Sequence, residues 1–292
     1  MAELKGIVAA ILTPFDERDN VDLDYMKRHL RFVEAGGAQG FVPSGSNGEA
    51  ASMRLEERKR IIELCGANKG SMFMVAGTGS TSLSETLELS RCAESAGADA
   101  IMVLPPFFFT YAPVKGIIDY YRRVFDAVSL PIFLYNIPQC TGIRISEEII
   151  HGLREYPHLV GVKDSSGQID SVLNYIENFP GLKIFVGNDH QVLSVLEAGG
   201  EGHITGMPNA FPELTTELYK AFVAGEDASE QQARLSKARD IIAGFPEFAV
   251  NKYVLSLRGF PLRYCRLPLL DMTDEEKTRF VGLMKENGLW SL

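Results

Sequence analysis

Eight short apolar runs recur along the chain, each followed by a stretch of helical periodicity, and no other feature restricts the fold as tightly. The runs cover residues 7–12, 40–43, 73–76, 100–104, 132–135, 159–163, 183–186 and 202–205. Strands that alternate with helical patterns build parallel βα units, which places the chain in the α/β class. Eight such units predict a TIM (β/α)8 barrel. Three of the intervening helices end alike, in Glu34-Ala35-Gly36-Gly37, Glu94-Ser95-Ala96-Gly97 and Glu197-Ala198-Gly199-Gly200, as glycine caps leading into the next strand. From about residue 211 the pattern is helical only, through 214–224, 229–242 and 274–286. The chain therefore divides into a barrel, residues 1–210, and a C-terminal helical extension, residues 211–292, that completes and flanks it. No Gly/Ser-rich or proline-rich linker separates the two, so the extension is expected to pack on the barrel's flank or to help make an oligomer contact.

With 292 residues and 46% hydrophobic content the chain is large enough to bury the core such a barrel needs. A formal net charge of −9 argues against non-specific nucleic-acid binding and against attraction to anionic lipid, since both need a basic surface. The expected partners are small molecules, not nucleic acid or membrane. Residues 7–12 mimic the apolar part of a signal peptide, but only Lys5 precedes them and Thr13-Pro14-Phe15 follows without a small-residue cleavage pattern. No run approaches the length of a membrane span. Cys65, Cys92, Cys140 and Cys265 lack CxxC spacing, which suits free thiols in a reducing cytoplasm. None of His29, His151, His158, His190 and His203 has HxxxH spacing, and no metal is expected.

Lys163 ends the run Leu159-Val160-Gly161-Val162-Lys163, where the C-terminal tip of a barrel strand presents its chemistry. Burying an amine is costly unless the site uses it. Burial disfavours the ammonium form and frees the amine to attack a carbonyl. The alternative is a lysine whose stem lies on apolar neighbours while its charge snorkels to water. Alternation along the strand turns Gly161 and Lys163 inward and Val160 and Val162 outward; in the preceding strand it turns Phe133 and Tyr135 inward and Ile132 and Leu134 outward. Tyr135 is thus a candidate proton shuttle beside the lysine, against the alternative of a core tyrosine bonded to backbone.

The second strand leads into Gly45-Ser46-Asn47-Gly48-Glu49, where two glycines permit a tight turn whose N–H groups point at an anion such as a carboxylate. Ser46, Asn47 and Gly48 are the candidate binders; a plain βα turn is the alternative. Gly77-Thr78-Gly79-Ser80 lacks the lysine of a P-loop and reads as structural, with Ser82-Leu83-Ser84-Glu85 a capping box that opens the next helix. Asp189 after the seventh strand, and Ile204, Thr205 and Gly206 at the end of the eighth, ring the mouth opposite Ser46 and Asn47. Asp189 is either a hydroxyl-binding carboxylate or the N-cap of the next helix.

These motifs stand in an order that resembles the dihydrodipicolinate synthase and N-acetylneuraminate lyase family of pyruvate-dependent, imine-forming barrels. The likeness runs through residues 6–15 with Thr13-Pro14-Phe15, the Gly45–Glu49 segment, Ala76-Gly77-Thr78-Gly79, Tyr135-Asn136-Ile137-Pro138, Gly161-Val162-Lys163 and Arg266-Leu267-Pro268-Leu269. It covers nearly the whole chain. It implies Lys163 as the imine-forming lysine, Tyr135 as the proton-relaying phenol, Ser46 and Asn47 as binders of the pyruvate carboxylate, no cofactor beyond the covalent imine, and a homotetramer or homodimer.

Two departures bear on the second substrate. Where dihydrodipicolinate synthases carry the arginine that binds the carboxylate of aspartate semialdehyde, this chain has Cys140, and a thiol cannot replace a bidentate cation. In Pro105-Pro106-Phe107-Phe108-Phe109 no hydroxyl stands where the family often places a tyrosine that enters a neighbouring subunit's site. Tyr111 is a substitute, and an apolar rim or subunit contact is the simpler reading. The expected activity is a class I aldolase that reversibly cleaves a 2-keto-3-deoxy acid, such as 2-keto-3-deoxygluconate, into pyruvate and an aldehyde, with Asp189, Ile204, Thr205 and Cys140 around the rest of the substrate. The alternatives are dihydrodipicolinate synthase, 4-hydroxy-2-oxoglutarate aldolase, N-acetylneuraminate lyase, an imine-forming dehydratase or hydratase-aldolase, and a pyruvate-binding barrel without turnover.

Overall fold

The computed structural model describes residues 3–290; the outermost ends of the two regions expected from the sequence, 1–2 and 291–292, lie outside it. Eight parallel strands pair in sequence order and close into a barrel. They are β1 (Gly6–Ala10), β2 (Gly40–Val42), β3 (Phe73–Gly77), β4 (Ala100–Val103), β5 (Ile132–Asn136), β6 (Leu159–Asp164), β7 (Lys183–Val186) and β8 (Gly202–Thr205). The TIM barrel expected from the apolar rhythm is the fold observed. Around it run α1 (Leu23–Ala35), α2 (Leu55–Ala67), α3 (Leu83–Ser95), α4 (Val114–Phe125), α5 (Pro138–Thr141), α6 (Glu147–His151), α7 (Ile169–Asn178) and α8 (Val192–Glu197). The chain then continues through α9 (Pro212–Val223), α10 (Ser229–Ala243), α11 (Glu247–Leu257) and α12 (Asp274–Glu286).

The strands are buried on both faces, which is why they read as continuous apolar runs. One cluster, including Val8, Val42, Val75, Met102, Phe133 and Phe185, fills the barrel; a larger one packs the outward residues against the helices. Gly37, Gly97 and Gly199 follow α1, α3 and α8 with φ of 94°, 75° and 96°, the left-handed conformation that stops a helix without a Cβ penalty.

Four local expectations are corrected. The first strand ends at Ala10, because the Leu12 N–H goes to the Asn209 side chain (3.0 Å) and not to a neighbouring strand. Val160 packs against the barrel-interior cluster, not outward: the β5–β6 register passes from Ile132↔Leu159 to Phe133↔Gly161, and this irregularity leaves Val160 as the extra residue. Only half of the expected capping box forms at α3. Ser82 Oγ accepts from the Glu85 N–H, but the Glu85 carboxylate accepts from Ser80 Oγ at 2.6 Å instead of turning back to Ser82. Helix α11 was not anticipated, since Asn251 and Lys252 are buried along with its apolar residues and no clean stripe remains to be read.

Two histidines are sealed in the core. His29 bonds the Asn209 carbonyl at 3.2 Å, whereas neither ring nitrogen of His203 has a partner among the described residues. Burial pulls both imidazoles down to about 4. The unfolded chain protonates them near 6.5, so stability present above that pH is lost as the pH falls through 4, by about 3 kcal/mol per imidazole. Asp189, pushed up to about 6 by burial, opposes them, because it gains its proton in the folded state first. Two groups outweigh one. Urea unfolding should show lower stability at pH 5 than at pH 7.5, and His203→Leu should flatten that slope; an unchanged slope in the variant would contradict the assignment.

Candidate active site

The tips of β5 and β6 stand side by side, with Tyr135 opposite Lys163 and Asn136 opposite Asp164. Lys163 is 3% exposed, and its Nζ lies 4.2 Å from the centroid of the Tyr135 ring. The amine therefore does not snorkel into open water; it meets the face of a phenol, where a cation is attracted by the ring quadrupole. The Tyr135 hydroxyl bonds Ser165 Oγ at 3.5 Å. No side chain fits on the β7 side: a Cβ on Gly187 would lie 1.8 Å from Ser165 Oγ and 3.0 Å from Lys163 Cε. Gly187 thus leaves the room that the lysine arm and the serine hydroxyl occupy.

Asp164 is a tie and not a second acid. Its carboxylate accepts from Asn136 Nδ2 (2.7 Å), the Ser166 N–H (2.7 Å) and the hydroxyls of Ser166 (2.6 Å) and Ser171 (3.0 Å). Asn136 in turn accepts from the Ile145 N–H at 3.0 Å. The two strand tips are locked in the register that sets lysine against tyrosine. Ser165 was missed in the sequence; its only signal was its place two residues beyond Lys163 in Asp164-Ser165-Ser166-Gly167.

The Gly45–Glu49 segment turns as expected but for a different reason. The residues with left-handed backbone are Ser44 (φ 58°) and Glu49 (φ 56°), not the glycines. Each such non-glycine residue costs on the order of 1–3 kcal/mol, strain that accumulates at functional sites. Gly48 serves close approach instead, since a Cβ there would crowd the Ile11 carbonyl at 3.0 Å and Thr13 Oγ1 at 3.3 Å. The Gly48 N–H is already given to Gly45 O (3.1 Å), whereas the amides of Ser46 and Asn47 have no protein partner among the described residues. The Asn47 side chain lies over the end of β8, its Oδ1 2.7 Å from where a Gly206 Cβ would sit.

A cavity of about 600 Å³ opens at this end of the barrel, walled by Ser46 on one side and by Tyr135, Ile137 and Cys140 on another. Cys140, in α5, is an exposed thiol raised by partial desolvation, hence a neutral group. Lys163, Asp189, Ile204 and Thr205 are not among the cavity's lining residues; Lys163 lies beyond the Tyr135 ring, and Ile204 belongs to the barrel-interior cluster. Asp189 is buried and hydrogen-bonded to Thr205, and its Oδ1 has no partner. Desolvation pushes its carboxyl up to about 6, opposed by that hydrogen bond and by Arg239. Asn188, not Asp189, caps the following turn, accepting from the His190 N–H at 3.0 Å. Among the described residues no group of three or more His, Cys, Asp and Glu is placed to hold a metal, and no helix is long and apolar enough to cross a membrane.

The profile of the Dihydrodipicolinate synthetase family matches residues 3–287. The chain belongs to that family. A DapA-like lyase of Chloroflexus aurantiacus is 38% identical over 282 residues, covering 94% of each chain. A 4-hydroxy-tetrahydrodipicolinate synthase of Methanococcoides burtonii is 33% identical over 97% of this chain and 98% of its own. Among solved structures, the E. coli prophage protein YagE of the dihydrodipicolinic acid synthase family, in complex with pyruvate, superposes with a TM-score of 0.93 at 26% identity, covering 99% of this chain and all of its own. The protein is accordingly a carbon–carbon lyase, a class I aldolase of the pyruvate-dependent type.

The packing around Gly187 makes a direct expectation. Gly187→Ala should displace the lysine arm or Ser165 and slow borohydride trapping of a keto acid by about 10²-fold, the scale set by ångström misplacement of a reacting group. Circular dichroism should remain that of the folded barrel. Trapping at the wild-type rate would show that the space beside Lys163 is not needed.

Proposed function

We propose that the enzyme reversibly cleaves a 2-keto-3-deoxy acid, such as 2-keto-3-deoxygluconate, to pyruvate and an aldehyde. The observation that carries the reading is that a neutral thiol, Cys140, lines the cavity beside Tyr135; Asp189, which follows β7 outside that lining, adds a buried carboxyl oxygen without a partner. That wall has no cation at position 140 for a carboxylate-bearing aldehyde, and an unpartnered carboxyl oxygen such as that of Asp189 suits a sugar hydroxyl.

In this reading the amine of Lys163 adds to the C2 carbonyl of the substrate, and loss of water leaves a protonated imine. Tyr135 relays the proton of the C4 hydroxyl, accepting it as it gives up its own. The C3–C4 bond then breaks, its electron pair passing to C3 and the imine to give an enamine, while C4 leaves as the aldehyde. Protonation of C3 and hydrolysis of the imine release pyruvate and restore the lysine. Ser165 Oγ donates to the Tyr135 hydroxyl at 3.5 Å and so helps orient the phenol. Ser46 and Asn47 hold the C1 carboxylate through their free amides and side chains, and no cofactor takes part.

Pyruvate release from 2-keto-3-deoxygluconate, followed with a lactate dehydrogenase couple, should occur in wild type and vanish in Lys163→Ala. Borohydride with pyruvate should add mass at Lys163, and an unchanged mass would overturn the imine. Tyr135→Phe should be slower by about 10²- to 10⁴-fold if the phenol carries the proton. The relative named 4-hydroxy-tetrahydrodipicolinate synthase favours a second reading, condensation of pyruvate with aspartate semialdehyde. Appreciable condensation despite Cys140 would select it.

The exposed aromatics Phe108 (78%), Phe109 (54%) and Tyr111 (82%) pack edge to face on one another and support a homodimer or homotetramer that covers them. Light scattering should give a multiple of 32.2 kDa, with a smaller species for Phe108→Asp.

A further inference from the structure

The turn between Ser44 and Glu49 is held at both ends by buried cations, and one of them comes from the C-terminal helices. At the first end Arg58, in α2, donates from Nε to Ser44 Oγ (2.7 Å) and from its two terminal nitrogens to the carbonyls of Gly79 and Gly77 (3.1 Å each). At the other end Lys252, in α11, donates to Glu49 Oε1 and to the Tyr264 carbonyl. The remaining Glu49 oxygen accepts the backbone N–H of Arg266 at 2.8 Å. The side chains of Lys252 and Glu49 are 1% and 0% exposed, so this is an ion pair removed from water.

The surroundings make the pair part of a larger clamp. Lys252 Nζ lies 4.8 Å from the centre of the Phe15 ring, and the Arg266 guanidinium lies 4.1 Å from it. Arg266 also forks onto Glu57 (2.6 and 2.9 Å) and reaches the Ser52 carbonyl at 3.0 Å. Thr13 Oγ1 donates to the Gly48 carbonyl at 2.7 Å. Within the turn the N–H groups of Gly48 and Glu49 go to the carbonyls of Gly45 and Ser46, while those of Ser44, Gly45, Ser46 and Asn47 have no protein partner among the described residues.

A buried ion pair is weak evidence for stability, because apolar residues of similar volume usually serve as well; its best-attested use is to specify one arrangement. Here the arrangement specified contains two non-glycine residues in left-handed backbone, Ser44 and Glu49, which persist only where the surroundings over-determine them. We infer that Lys252 and Glu49 are positioning residues, through which the C-terminal helices hold the Ser46 and Asn47 amides in the geometry that receives the keto-acid carboxylate. This rests on the proposed role of the turn as carboxylate site. The extension is then part of the binding apparatus as well as a cover for the barrel's flank.

The test uses the full-length enzyme, with pyruvate as ligand and borohydride trapping on Lys163 as readout, at graded pyruvate concentrations. Lys252→Met should raise the half-saturating pyruvate concentration by about tenfold or more while the fraction trapped at saturation stays at the wild-type level. Because Lys252→Met leaves Glu49 buried and unpaired, the double variant Lys252→Met/Glu49→Gln removes both charges. It should recover the wild-type thermal midpoint and keep the raised half-saturation. Half-saturation within about twofold of wild type in the folded double variant would overturn the inference and leave a merely structural pair. Absence of any adduct in wild type would instead overturn the imine reading, and this inference with it.

Discussion

Gly202 pairs with Gly6, His203 with Ile7, Ile204 with Val8 and Thr205 with Ala9, and these β8–β1 hydrogen bonds turn a sheet into a closed ring. Closure forces all eight C-terminal tips onto one rim, so residues far apart in sequence share one mouth: Ser46 after β2, Tyr135 on β5, Lys163 on β6, Asp189 after β7 and Thr205 on β8. Glycine makes the seam possible. A Cβ on Gly202 would lie 2.1 Å from the Gly6 carbonyl, and the Gly202 backbone itself has φ of 151°. The close approach of β1 and β8 therefore depends on a residue without a side chain.

Charge is handled at this rim by pairing or by dense hydrogen bonding, because each buried ion needs compensation. Asp164 accepts from four donors, Glu49 meets Lys252 and an amide, and Arg58 spends its guanidinium on one hydroxyl and two carbonyls. With no carboxylate bonded to it, Arg58 is the least compensated of these, and burial pulls its guanidinium down to about 10. Lys163 is set apart from this group. Its amine has a phenol face beside it and no carboxylate ion pair among the described residues.

Family membership accounts for the half of the chemistry that begins with pyruvate. In this chain the wall nearest Tyr135 is neutral at Cys140 and the β7–β8 side carries a carboxyl with a depressed tendency to ionise. Near pH 6 such a group exists in both forms, able to accept from a hydroxyl or to donate to one.

Much of this was legible in one dimension. Burial on both faces writes a strand as a continuous apolar run, and a strand's period of two assigns faces, which sufficed for the barrel, for the inward pairing of Tyr135 with Lys163 and for the glycine ends of α1, α3 and α8. Other features had no local signature. The interior position of Val160 depends on an irregular register with β5; Gly187 matters for space that only the folded lysine arm defines; Ser44 and Glu49 are held left-handed by partners elsewhere in the chain. Helix α11 hid its period because it buries polar Lys252 to reach Glu49, 203 residues away. Periodicity and composition are properties of neighbours along the chain, so the sequence by itself determined the elements and the faces on which most of their side chains lie. Which distant groups meet, and what strain they sustain, was decided only when closure of the barrel and packing of the C-terminal helices brought them together.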